Sequence, residues 1–115
     1  MTASYIPSRG DVVWLTFYPQ AGQEQSGRRP AFVVSPHAYN KKVGLFLVCP
    51  ITSQVKGYPF EIRIATKLGI NGVILADQIK SLDWKARQAE FVEGASQNLL
   101  MEVIRRILPL LDQGI

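Results

Sequence analysis

Between Phe60 and Ala65 apolar and polar residues alternate, with Phe60, Ile62 and Ile64 on one side and Glu61 and Arg63 on the other. A period of two marks a half-buried antiparallel strand. Four other stretches are apolar without clean alternation: DVVWLTFY (11–18), AFVVS (31–35), LFLVCPIT (45–52) and GVILA (72–76). Their β-branched and aromatic content predicts strands, and AFVVS and GVILA read as buried ones. Pro50 is expected at a bulge or an edge, because it lacks the N–H that a ladder needs. WKARQAEFVE (84–93) carries a weaker version of the strand pattern. The segments between are polar. Residues 19–29 read as a Gly- and Gln-rich loop, and PHAYNKK as one helical turn stopped by Gly44. Turns are expected at Gly57 and at Asn71-Gly72.

The period lengthens after Ser96. Leu100, Val103, Ile104, Ile107 and Leu111 recur every three or four positions, the apolar stripe of an amphipathic helix. Ser96 is placed to cap its N-terminus. Pro109 is expected to kink or end its last turn. Five or six short antiparallel strands followed by one packing helix predict a mainly β fold with a C-terminal helix, built as a small, partly open β-barrel. With 115 residues, no repeat and no linker, the chain 1–115 reads as a single domain.

Composition narrows function mostly by exclusion. No apolar run reaches the roughly 18 residues that span a membrane. The N-terminal MTASYIPSRGDVVW lacks the charged-then-apolar pattern of a secretion signal, and the lone Cys49 cannot form an internal disulfide. A reducing cytoplasm is the expected location. One histidine, one cysteine and nine scattered carboxylates offer no metal-ligand cluster. Neither a P-loop nor a GxGxxG is present, so no metal and no cofactor is expected. Thirteen Lys and Arg against nine Asp and Glu leave a net charge of +4, which favours a phosphate-bearing partner such as nucleic acid.

The densest candidate chemistry lies in QAGQEQSGRRP (20–30), where Arg28 and Arg29 stand at the junction of a loop and a strand. A guanidinium stays charged and offers paired donors to phosphate oxygens. Pro30 stiffens the junction, while Gly22 and Gly27 let the loop move over an extended anion. On composition alone the favoured reading is that both arginines are solvated surface charges and the loop is merely a loop. If the partner is RNA, cleavage needs no metal, because the 2′-OH is a built-in nucleophile. The protein has to help remove that proton, neutralise the phosphorane and assist the departing 5′ oxygen. Arginine supplies the charge, and Glu24 and Asp77 are the carboxylates in suitable loops. His37, the single histidine, falls in a surface turn. Thr52 and Ser53 can donate to a phosphate oxygen or simply make a turn. Asp77, Gln78 and Lys80 follow a buried strand; Gln78 can read base edges and Lys80 can meet phosphate. Lys56 and Tyr58 flank Gly57, pairing a cation with an aromatic ring as single-strand grooves do. Trp14 and Trp84 are assigned to the core or an interface rather than to base stacking.

Taken together, three blocks resemble the MazF/PemK family of bacterial toxins, and its MazF branch most closely. They are YIPSRGDVVWLTFYPQAGQEQSGRRPAFVVSPHAYN, CPITSQVKGYPFEI and GVILADQIKSLDWKAR, in that order and over almost the whole chain. The resemblance implies an SH3-like barrel, a homodimer, and a metal-independent endoribonuclease toxin that cuts single-stranded RNA within short motifs. The implied products are a 2′,3′-cyclic phosphate and a 5′-hydroxyl. Residue by residue it implies that Arg29 is the main catalytic group, that Thr52 helps hold the scissile phosphate and that Glu24 is needed. Arg28, Gln25, Ser53, Lys56, Asp77, Gln78 and Lys80 are the expected RNA contacts. Leu75 stands where some PemK-type relatives carry an arginine, which leaves open whether Asp77 is catalytic or only binds. Arg28 replaces a histidine and is expected to add phosphate affinity. The family also implies a MazE-like cognate antitoxin whose acidic C-terminal tail would occupy the RNA groove. Two other functions share the pattern: a gyrase-binding toxin of the CcdB type, and an RNA-binding barrel without catalysis. The first places Trp-Gly-Ile at its C-terminus, where this chain has Gln113-Gly114-Ile115.

Overall fold

The computed structural model describes residues 5–17 and 27–112. Among them are seven strands: β1 (Asp11–Thr16), β2 (Arg28–Val33), β3 (Leu45–Thr52), β4 (Glu61–Ala65), β5 (Asn71–Leu75), β6 (Lys80–Asp83) and β7 (Glu90–Gly94). Two α-helices accompany them, α1 (His37–Val43) and α2 (Gln97–Asp112). Every pairing is antiparallel, and the order is β4-β5-β3-β2-β1-β7 with β6 beside β3. The result is a mainly β fold, a curled half-barrel with the C-terminal helix packed on it.

Two cores explain why most strand segments do not alternate. Val12, Phe32, Cys49, Ile51 and Ile74 pack on one face beneath Val103 and Ile107 of α2. Val13, Leu15, Ala31, Val33, Phe46 and Val48 pack on the other with Trp84. A strand buried on both faces needs apolar residues at every position. The second core is closed by a polar network around Asn40. The Trp84 indole N–H donates to the Asn40 carbonyl (2.9 Å), and Asn40 Nδ2 donates to the carbonyls of Pro7 (2.8 Å) and Ser35 (3.2 Å). Ser35 Oγ donates to Asn40 Oδ1 (2.5 Å) and accepts the Leu47 N–H (2.8 Å). Among the described residues no buried side-chain polar atom is left without a partner, which is the condition for keeping Asn40 inside. To place Asn40, α1 runs for seven residues rather than a single turn. It ends as expected at Gly44, whose φ of 84° is left-handed.

Ser96 caps α2, its Oγ accepting the Leu99 N–H (3.1 Å). The helix continues through Pro109 to Asp112 rather than ending there. A proline so near the end removes one hydrogen bond from a turn with few to lose. The buried stripe is narrower than its spacing implies: Val103 and Ile107 are buried, Leu100 and Ile104 partly so, and Leu111 is 75% exposed. No helix among the described residues is long and apolar enough to cross a membrane.

Four expectations need correction. β2 begins at Arg28, so both arginines belong to a strand and not to the preceding loop. The 84–93 segment is a turn through Gln88 (φ 56°) followed by the shorter β7. Asn71 and Gly72 open β5, and the chain turns earlier, at Gly69 (φ 97°). Pro50 is neither at an edge nor at a bulge but in central β3. Leu47 directs its N–H to Ser35 Oγ and its carbonyl to the Val34 N–H, both on the β2 side. Alternation then points the Pro50 nitrogen to the opposite edge. There β6 pairs with residues 45–48 and β5 with 51–52, leaving Cys49 and Pro50 in the gap. A residue without an N–H forfeits no ladder bond at that position.

Ile107→Ala should lower unfolding free energy by about 2–5 kcal/mol in denaturant titration, as truncation of a buried aliphatic does; a change near zero would place α2 off the core. Burial, then the Asp77 carboxylate, push the Cys49 thiol from its usual 9.0 up to about 12. Folding therefore favours the protonated thiol, a contribution intact below pH 9 and declining as pH rises towards 12. Over that window native stability should fall by about 1.4 kcal/mol per pH unit more steeply than in Cys49→Ala. Parallel slopes would contradict the burial of the thiol.

Candidate functional site

The β1–β2 register decides where the two arginines go. Leu15 pairs with Arg29 and Thr16 with Arg28. Directly paired residues share a face and neighbours take opposite ones, so the pleat separates the doublet. Arg28 turns to Thr16. Its Nη1 donates to Thr16 Oγ1 (3.2 Å) and to the carbonyls of Arg87 (3.3 Å) and Gln88 (2.9 Å), and its Nη2 meets Glu90 Oε1 (3.0 Å). The ion pair is solvated on the Glu90 side and adds roughly 0–1 kcal/mol. Its larger effect is geometric, because Arg28 ties β2 to β1 and to the turn before β7. Arg87 completes the corner by donating to the carbonyls of Thr16 and Phe17. Arg29 is exposed and has no hydrogen-bond or ion-pair partner among the described residues.

Ala31 pairs with Pro50, so carrying that register two residues on sets Arg29 across from Thr52 at the end of β3. Thr52 Oγ1 accepts the Gln54 N–H (3.1 Å), a small hydroxyl turn that leaves its hydrogen to donate outward. Turn chemistry and a phosphate donor thus coexist in one residue. Thr52 is held from behind by Gly72. A Cβ at Gly72 would lie 2.1 Å from the Thr52 carbonyl oxygen, so only glycine lets β5 approach this closely.

Two cavities meet at this point. The larger, about 560 Å³, is lined by Trp14, Arg28, Arg29, Pro30, Ile51–Gln54 and Leu68–Asn71. The smaller, about 200 Å³, is lined by Phe17, Arg29, Pro50, Ile51, Thr52, Gln78 and Lys80. Arg29, Ile51 and Thr52 belong to both. Pairing separates the two sides. Trp14 and its cross-strand neighbour Pro30 both line the first, whereas Lys80, which lines the second, pairs with Val48 of the second core. The groove therefore passes over the β2–β3 ends, with a cation and a hydroxyl at its crest.

Of the residues singled out in the sequence, the structure brings Arg28, Arg29, Thr52 and Ser53 to the larger cavity and Gln78 and Lys80 to the smaller one. Lys56 is exposed in the β3–β4 connection, where its N–H and that of Gly57 bond the Glu61 carboxylate, and it lines neither cavity. Asp77 sits exposed in the 3-10 turn Ala76–Gln78 and also lines neither. Glu24 and Gln25 lie outside the described residues. Sequence reasoning missed Gln54 and Asn71, whose side chains have no partner among the described residues. Gln54 follows Thr52 by two positions, a spacing that could have flagged it. Asn71 was hidden by the turn expected there.

Comparison with known proteins shows the family. A family model described as "PemK-like, MazF-like toxin of type II toxin-antitoxin system" matches residues 8–111. The chain belongs to the PemK/MazF-like toxin family. It is 49% identical over 89 residues to the endoribonuclease toxin MazF of Escherichia coli K12, covering 77% of this chain and 79% of that protein. Its fold is similar to crystal structures of MazF from Deinococcus radiodurans (TM-score 0.83, 52% identity, 94% of this chain and 98% of that one). A MazE-MazF structure from the same organism is equally similar (TM-score 0.84, 50% identity, 93% and 97%).

Gly72→Ala should cost about 1–3 kcal/mol of stability through overpacking against the Thr52 backbone. An unchanged denaturation midpoint would mean that β5 does not press on the site as described.

Proposed function

We propose that this chain is a metal-independent endoribonuclease toxin that cuts single-stranded RNA across the Arg29–Thr52 crest. The observation that carries the reading is an exposed guanidinium without a partner among the described residues, set across from a hydroxyl free to donate, where two cavities meet. The E. coli MazF it resembles is an endoribonuclease toxin, which supports the same activity here. A phosphodiester laid over the crest places its non-bridging oxygens against Arg29 and Thr52. The 2′ oxygen gives up its proton to solvent and attacks phosphorus to form the O2′–P bond, the P–O5′ bond breaks, and the departing 5′ oxygen takes a proton from solvent. The products are a 2′,3′-cyclic phosphate and a 5′-hydroxyl. Arg29 neutralises the phosphorane, and Thr52 donates to one of its oxygens. Glu24 is assigned to the reaction on the family resemblance. Gln78 and Lys80 take the strand on one side of the crest, with Lys80 meeting phosphate. Cleavage is confined to short sequence motifs.

The MazE-MazF structures of D. radiodurans support a cognate antitoxin as partner. In this reading its acidic C-terminal tail enters the basic groove and competes with RNA. The working form is a cytoplasmic homodimer.

Purified protein incubated with RNA in EDTA should yield cyclic-phosphate and 5′-hydroxyl ends. Arg29→Ala should reduce cleavage by orders of magnitude with the thermal midpoint unchanged, because Arg29 holds no structural bond among the described residues. RNA bound but left intact would favour a binding barrel without catalysis. Neutralising Lys80 should lower the slope of log affinity against log salt by about 0.7, the value for one phosphate contact on a single strand. Neutralising Lys56, outside both cavities, should leave it unchanged; the reverse result would relocate the RNA path.

A further inference from the structure

Trp14 is the exception in its strand. Its neighbours Val12, Val13 and Leu15 are fully buried, yet Trp14 is 36% exposed. Its backbone is held in the middle of the sheet, paired with Pro30 on one side and Glu90 on the other. Only the indole reaches out, and it lines the larger cavity together with Gln54 and Asn71. The indole N–H has no hydrogen-bond partner among the described residues. The other tryptophan shows what a structural role looks like here, being buried and bonded to the Asn40 carbonyl.

We infer that this half of the groove is a nucleobase subsite, with Trp14 as its stacking platform and the amides of Asn71 and Gln54 reading the edge of the base. The inference rests on the nuclease reading and specifies the nucleotide that adjoins the scissile phosphate on the side away from Gln78 and Lys80. Single strands are recognised by stacking unpaired bases on aromatic rings, with polar side chains bonding the base edges. A side-chain amide carries both a donor and an acceptor, so it discriminates bases that present the two groups in different order. The cavity, about 560 Å³, is within the range of pockets that take a group the size of a base. Leu68 and Ile70 add apolar wall to it. A phosphate fixed between Arg29 and Thr52 delivers the adjoining base to one cavity or the other, and the larger holds the only tryptophan among the lining residues. Arg28 matters to the subsite indirectly. It grips Glu90, the cross-strand neighbour of Trp14, and so steadies the wall that carries the indole.

The test titrates the full chain with a target oligoribonucleotide whose scissile nucleotide is 2′-deoxy and therefore cannot react. Binding should change tryptophan fluorescence in the wild type, and the change should vanish in Trp14→Phe, in which Trp84 remains. Trp14→Ala should lower kcat/KM by about 5- to 150-fold, the range for loss of one stacked base, and Trp14→Phe should recover most of it. Matched thermal midpoints would exclude misfolding. Asn71→Asp, which replaces a donor by an acceptor, should change the preferred base at one position of the mapped cut sites. Saturable binding without a Trp14-dependent signal would overturn the inference, as would Trp14→Ala with unaltered kcat/KM and unaltered cut sites. A wild-type chain that binds but never cuts RNA would sink the nuclease reading, and the fluorescence titration would still decide the subsite.

Discussion

The pairing of β1 with β2 at Thr16–Arg28 and Leu15–Arg29 is the constraint on which the groove depends. It fixes which way each of two adjacent, chemically identical side chains points. Arg28 is spent on carbonyls and a carboxylate at the β1–β2–β7 corner. Arg29 lines both cavities and has no hydrogen-bond or ion-pair partner among the described residues. A slip of one residue would exchange the two roles. The bulge between Val12 and Val13 in the β1–β7 pairing is where β7 adjusts its own register, so that Glu90 arrives opposite Trp14 and within reach of Arg28.

The second support comes from β3. Its first half pairs with β6 and its last two residues with β5, both along one edge. That division carries Lys80 to one side of the crest and Asn71 to the other. It also explains two residues that look out of place in a central strand. Pro50 falls where the ladder is already interrupted. Gly72 has no side chain because the Thr52 carbonyl occupies the space. The groove thus rests on backbone geometry at three strand ends, and the buried Asn40 network holds the opposite end of the sheet.

Much of the fold was legible because hydrophobic period reports burial directly. β3 and β4 fall where the sequence placed them, and Ser96 caps α2 as its position implied. β6 escaped notice because KSLD is short and mostly exposed, with Leu82 its single apolar residue. The start of β2 was misplaced because two arginines and a proline carry no strand propensity; their extended form is imposed by β1. The same blindness affected the candidate site. Type and spacing flagged Arg29, Thr52, Gln78 and Lys80, all of which reach the groove. They also flagged Lys56 and Asp77, which do not line it, because charge in a loop says nothing about direction. Trp14 was assigned to the core or an interface; its apolar flanks are buried in two different directions while its own side chain is part exposed.

In the proposed function the two arginines divide: Arg28, for which the family resemblance implies added phosphate affinity, is bonded into the β1–β2–β7 corner, and Arg29 meets phosphate. Arginine side-chain NMR offers the most direct test, following the Nε–Hε signals while a non-cleavable 2′-deoxy oligonucleotide is added. The account predicts that the Arg29 signal shifts with saturation while that of Arg28 stays in place, already protected before any ligand is present. A shift at Arg28 with Arg29 unmoved would contradict it.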